Sequence, residues 1–166
     1  MIAQNIAFWI IAVVMAAAAV RVVTSRNLVH AALFLITVLI GASAQFIILL
    51  AEFVGVTQFF LYVGAVAVLF LFGIIVTRAP MQPADYDNDQ RWPALAVSLL
   101  LLGVLVALLI DAFGHQEIEL SDDLLAIGRS DAVGNSLFRT FVVPFEVVSM
   151  LLLAALIGAV AIARRD

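Results

Sequence analysis

Residues 27–77 read NLVHAALFLITVLIGASAQFIILLA, then a lone glutamate, then FVGVTQFFLYVGAVAVLFLFGIIVT. Glu52 is the only charged side chain of this stretch, with 25 uncharged residues on either side of it. As one helix, rising 1.5 Å per residue, the stretch would be about 75 Å long, whereas the hydrocarbon of a bilayer is roughly 30 Å thick and is crossed by about 20 apolar residues. The chain must therefore turn near Glu52. Each run exceeds a minimal span by some residues, so the turn is expected at about 51–55, closing an antiparallel hairpin of two membrane helices.

Three further runs lie outside this hairpin. Residues 1–20 are uncharged and end at Arg21. Residues 92–110 open on Trp92-Pro93, an interfacial indole followed by a proline suited to a first helical turn. Residues 141–163 are interrupted only by Glu146. A cleaved signal peptide is a poor reading of the first run, because no basic segment precedes it and an arginine follows it directly. The expected fold is an all-α polytopic membrane protein, a single membrane domain over 1–166. Its five transmembrane helices are placed at about 2–22, 28–50, 54–77, 93–112 and 141–163, with loops at 78–92 and 113–139.

Composition agrees with this reading and excludes much chemistry. The chain is 66% apolar and 12% charged, against about 45–50% and roughly 25% in soluble domains. Without cysteine it can supply neither disulfides nor thiolate ligands for zinc or iron–sulfur clusters. A net charge of −4 with no basic stripe argues against nucleic acid as a partner. Six arginines (Arg21, Arg26, Arg78, Arg91, Arg164, Arg165) fall on one side of a five-span chain, and Arg129 and Arg139 on the other. The positive-inside rule then predicts the N-terminus outside and the C-terminus inside. Loop 78–92 is accordingly internal, and the acidic loop 113–139 external.

Ionisable groups within the bilayer are the default functional candidates, and here they are scarce. Glu146 follows Pro144 by two residues. If Pro144 opens the fifth helix, Glu146 lies in its first turn, where the helix dipole favours an anion; the competing reading is a role in proton movement or assembly. Glu52 is either a hydrated turn residue or a carboxylate at the mouth of a path. His30 and His115 fall near opposite membrane faces, which does not suit paired haem ligation. No phosphate-binding loop and no acid–base–nucleophile set is present, so no catalytic, cofactor-binding or metal-binding residues are assigned. Ala154 and Gly158 have the small-xxx-small spacing of a packing seam in the fifth helix.

The third helix is the most informative. Gly55, Gly64 and Gly73 recur every nine residues, which places successive glycines on opposite faces rather than along one seam. Tyr62 brings a hydroxyl toward mid-membrane beside Gly64, where the backbone is free to deform. Glycine-linked deformations and π-bulges recur in functional helices, and close helix packing explains the same glycines equally well.

Several segments resemble subunit J of bacterial NADH-quinone oxidoreductase, respiratory complex I, the counterpart of mitochondrial NADH dehydrogenase chain 6. They are Arg21-Val with Asn27-x-x-His30-Ala, Ala51-Glu52-Phe53 with Gln58, Tyr62-Val-Gly64-Ala65 with Val68-Leu-Phe70, and Pro144-Phe-Glu146 with Ser149 and the Gly158 to Arg165 ending. The resemblance covers nearly the whole chain; the loop 113–139 carries no family pattern, and nothing is transferred to it. It implies a subunit of a proton pump in the bacterial cytoplasmic membrane, holding no cofactor itself. FMN, iron–sulfur clusters, NADH and quinone are expected in partner subunits, and neighbours of the K, H and A types are expected around it. It also implies that the third helix changes between regular and π-bulged forms near Tyr62, Gly64 and Ala65, with Val66, Val68 and Phe70 able to close a water path by dewetting and Glu52 near its mouth. Two alternatives remain: a small subunit of a multisubunit cation/proton antiporter or membrane-bound hydrogenase, and a structural scaffold subunit.

Overall fold

The computed structural model describes residues 2–77, 90–114 and 126–164, and every regular element among them is helical. Helix α1 is Ile2–Thr24, α2 is Leu28–Ile48 and α3 is Glu52–Val76. After these come α4, Arg91–Phe113, the short α5, Ser130–Asn135, and α6, Val142–Ala163. All but α5 are long and apolar enough to cross a membrane, so the five expected spans are present.

Helices α1 and α2 are joined by three residues whose polar groups organise the bend. The Asn27 carboxamide oxygen accepts from the backbone N–H of Val29 at 2.9 Å and of His30 at 3.4 Å, which caps two of the first donors of α2 that have no partner within the helix. The Ser25 hydroxyl donates to the Asn27 carbonyl at 3.1 Å. The Arg21 guanidinium lies 5.6 Å from the centre of the Phe34 ring, a cation–π contact that ties the end of α1 to the start of α2. Farther along, Gly41 meets Met15 so closely that a Cβ there would collide with the thioether.

The turn between α2 and α3 occupies 49–51, earlier than the expected 51–55, so that Glu52 opens α3 and Gly55 lies inside it. The reason is a Schellman closure of α2. The N–H of Ala51 donates to the Phe46 carbonyl at 2.9 Å and that of Leu50 to the Ile47 carbonyl at 3.0 Å, with Leu50 left-handed at φ 63°. Glycine is the usual residue at such a position, since a Cβ costs about 1–2 kcal/mol in this region. Leu50→Gly is therefore expected to stabilise the hairpin by roughly 1 kcal/mol, measured as a higher denaturation midpoint of the detergent-solubilised protein; a lowered midpoint would count against stored strain.

Helix α2 is the centre of the bundle and packs on α1 and on α3. The buried residues along these contacts are Ala18, Ala32, Ser43, Gly55 and Ala67, all small. That is the expected chemistry where lipid supplies no hydrophobic drive and helices gain by close approach. By contrast, α4 touches no other described helix, and α6 touches only the turn that leads into it. Helix α6 begins two residues before Pro144, at Val142, and Glu146 is consequently past its first turn. A proline is tolerated there because the first N–H groups of a helix have no intrahelical acceptor; the N–H of Phe145 makes the first bond, to Phe141, at 3.0 Å. Part of the expected external loop is also helical: α5 continues into a π turn at Ser136–Thr140, and it packs against the start of α3.

Candidate functional site in the third helix

Helix α3 consists of three parts. Glu52–Thr57 is α-helical, Gln58–Ala67 is a π-helix, and Val68–Val76 is α-helical again. In the central part the backbone bonds run to the fifth residue instead of the fourth, which is rare and usually limited to single-turn bulges, often at functional sites. Tyr62, Gly64, Ala65 and Val66 all lie in this ten-residue segment, and Val68 and Phe70 follow directly in the next α-helical part.

The three glycines of α3 turn out to have different surroundings. At Gly55 an added Cβ would lie 2.7 Å from the Ile47 Cγ1, 3.2 Å from the Ser43 carbonyl oxygen and 3.3 Å from the Ile47 nitrogen. This is a true close approach of two backbones. Beside it the Ser43 hydroxyl, 4% exposed, donates to the Gly55 carbonyl at 2.7 Å. At Gly64 an added Cβ would meet nothing closer than the Phe59 carbonyl oxygen at 3.8 Å, and at Gly73 nothing within 4 Å. Packing among the described residues thus accounts for Gly55 and not for the other two.

Tyr62, Val66, Val68 and Phe70 are each about half exposed. They line a part of α3 that α1 and α2 leave uncovered, and a bilayer or a partner chain must meet them. Glu52 is exposed at the first turn of α3, where the helix dipole favours a carboxylate. Glu146, exposed on α6, is distant in the chain from α3 and accepts at its backbone carbonyl from the Ser149 hydroxyl at 2.7 Å. Ala154 and Gly158 also lie on α6, and among the described residues a Cβ added at Gly158 would meet nothing within 4 Å. His30 is exposed at the start of α2, and His115 lies outside the described residues. Among the described residues no group of three histidines or carboxylates is placed to hold a metal ion.

Two polar residues of α2 escaped the sequence reading. Ser43 is the donor that fixes α3; the signal is its place two residues from Gln45, past the middle of a span whose other polar side chains are His30 and Thr37. Gln45 donates from Nε2 to the Phe8 carbonyl of α1 at 3.0 Å, while its buried Oε1 has no hydrogen-bond partner among the described residues. One α2 segment therefore bonds polar groups to both of its neighbours, an arrangement that fixes register where lipid offers no competing water.

Residues 18–162 match the sequence profile of the NADH-ubiquinone/plastoquinone oxidoreductase chain 6 family. The chain is 36% identical to NADH-quinone oxidoreductase subunit J of Pseudomonas aeruginosa, over 98% of each chain. It is 33% identical to F(420)H(2) dehydrogenase subunit J of Methanosarcina mazei, covering 98% of this chain and 92% of that one. To the chloroplastic NAD(P)H-quinone oxidoreductase subunit 6 of Cryptomeria japonica it is 36% identical, covering 89% and 86%.

Proposed function

Because the chain belongs to the NADH-ubiquinone/plastoquinone oxidoreductase chain 6 family, and so is a multi-pass membrane subunit of the complex I type, we propose that its third helix couples quinone reduction in other subunits to proton movement. The observation that carries this reading is the π segment Gln58–Ala67 in the middle of a membrane span. Returning such a segment to α geometry removes the extra residue in its turns. For each residue by which a turn's hydrogen-bonded loop shortens, the side chains beyond it rotate by about 100°. Val68 and Phe70 lie beyond the segment, Tyr62 and Val66 within it, and all four are half exposed, so the change in winding alters the surface presented to a neighbouring subunit. A tyrosine hydroxyl supports a water file and a valine–phenylalanine constriction breaks one by dewetting.

The chain itself takes the role of a non-catalytic subunit. It has no cysteine for an iron–sulfur cluster, and its relatives are named for different electron donors: NADH, F(420)H(2) and NAD(P)H. A subunit that persists while the donor changes does not itself select the donor. FMN, the clusters and quinone are assigned to partner chains, where they supply the redox chemistry. Neighbours of the K, H and A types then cover α4 and α6, which touch little of the other described residues. The proposed location is the bacterial cytoplasmic membrane, with the N-terminus outside.

Isolation from membranes in mild detergent on a native gel tests the assignment. Co-migrating flavin and iron–sulfur subunits with NADH-linked quinone reduction are expected; their absence would favour an antiporter or hydrogenase assembly. Glu52 gives a second, narrower test. As an exposed carboxylate at the first turn of α3, it is proposed to feed the path. Glu52→Gln is expected to reduce proton pumping severalfold without loss of assembly, followed by dye quenching in proteoliposomes from pH 6 to 8. Pumping equal to wild type throughout would leave Glu52 as a helix-start residue only.

A further inference from the structure

Between the fourth and fifth spans the chain returns to the α2–α3 turn, and Gly128 makes the contact. Its φ is not positive, so its own backbone conformation does not call for glycine. The requirement is external: a Cβ at Gly128 would collide with the Leu50 carbonyl oxygen and lie 3.0 Å from the Leu50 carbonyl carbon and 3.2 Å from the Ala51 Cα. Only a hydrogen fits in that direction, and it points at the carbonyl of the left-handed residue. On the other side of the turn, the Gly128 carbonyl accepts from the N–H of Phe53 at 3.4 Å. One residue thereby meets a carbonyl at the end of α2 and an unbonded donor at the start of α3, the two kinds of group that helix ends leave open.

We propose that residues 126–130 form a strap that locks the α2–α3 turn through Gly128, holding that end of α3 fixed. An independent feature agrees with a fixed end, and the opposite end of α3 contrasts with it. The Ser43–Gly55 bond and the close approach at Gly55 anchor the same α-helical part, Glu52–Thr57, to α2. Past the π segment, Val68–Val76 has no buried residue, and Gly73 has open space around it. The strap also joins α6 to the bundle, because among the described residues the contacts run from α3 to α5, from α5 to its π turn, and from that turn to α6. The mechanical consequence rests on the coupling role proposed above: a change in the π segment is taken up at the far end of α3 and not at the turn.

Hydrogen–deuterium exchange on the assembled complex tests this. In Gly128→Ala the peptide covering residues 50–55 is expected to exchange at least tenfold faster than in wild type. Gly134→Ala, in the adjoining helix α5 and with nothing described within 4 Å of the added Cβ, is expected to leave that rate unchanged. During turnover of the wild-type complex with donor and quinone, protection at 50–55 is expected to hold while exchange changes within 64–76. Unchanged exchange at 50–55 in Gly128→Ala would overturn the strap, as would loss of protection there during turnover. If Gly128→Ala alone fails to assemble, the strap is supported at greater severity and the wild-type turnover comparison still decides whether it stays closed. A strap that stays protected while 64–76 shows no change would remove the coupling role and leave the strap standing.

Discussion

Gly64→Leu is expected to uncouple the assembled complex, lowering protons moved per quinone reduced by tenfold or more while assembly stays near wild type. The substitution should be tolerated by the chain itself, since the nearest atom to an added Cβ is the Phe59 carbonyl oxygen at 3.8 Å. What it alters is the freedom of the π segment. Glycine gives the backbone dihedral latitude that a side chain removes, and glycine to alanine in a helix interior is worth about 1 kcal/mol, or roughly fivefold in an equilibrium. Gly64→Ala should accordingly give an intermediate loss near fivefold, and leucine more, because its bulk also meets whatever covers this half-exposed part of α3. Quinone reduction and pumping should be followed together in proteoliposomes. Both at wild-type levels in Gly64→Leu would end the coupling role of this helix.

Gly55→Leu should act in the opposite way, on assembly instead of coupling. Here the Cβ would press on Ile47 Cγ1 at 2.7 Å and on the α2 backbone at 3.2–3.3 Å, and a helix backbone cannot yield as a flexible side chain does. Overpacking costs about 1–3 kcal/mol, and separating the helices also breaks the buried Ser43–Gly55 bond, worth roughly 0.6–2 kcal/mol in membranes. The amount of assembled subunit is expected to fall more than tenfold on native gels. Gly73→Leu serves as the comparison, with nothing within 4 Å of the added Cβ, and should assemble normally. Equal assembly of the two variants would show that the close approach at Gly55 is not needed.

These two glycines show how far the sequence carried. Gly55, Gly64 and Gly73 look alike in a chain, spaced nine apart, and close packing and backbone deformation were equally good accounts of all three. Their difference lies in what stands opposite each one, which no local pattern encodes. The position of the α2–α3 turn was hidden for a related reason. Its left-handed residue is Leu50, whereas the local signals for such a position are glycine and asparagine, so reading the turn from Glu52 put it a few residues late. The strap was equally hidden, because Gly128 owes its identity to Leu50, 78 positions away. Residue type at Tyr62-Val-Gly64 left deformation and close packing equally open, and a π segment extending from Gln58 to Ala67 was not legible in it.

The sequence by itself determined that there are five helices long and apolar enough to cross a membrane and that the chain doubles back close to Glu52. Both follow from the transfer of residues out of water, a property that adds along the chain and needs no knowledge of neighbours. The tertiary structure alone decided that α2 is shared between α1 and α3, that among the described residues Gly55 and not Gly64 is the point of contact, and that α4 and α6 stand apart from the other described helices. In a lipid solvent every apolar face is equally content, so hydrophobicity cannot choose which helices touch. That choice falls to small residues that let backbones meet and to the few polar groups, Ser43 and Gln45 among them, that need a partner.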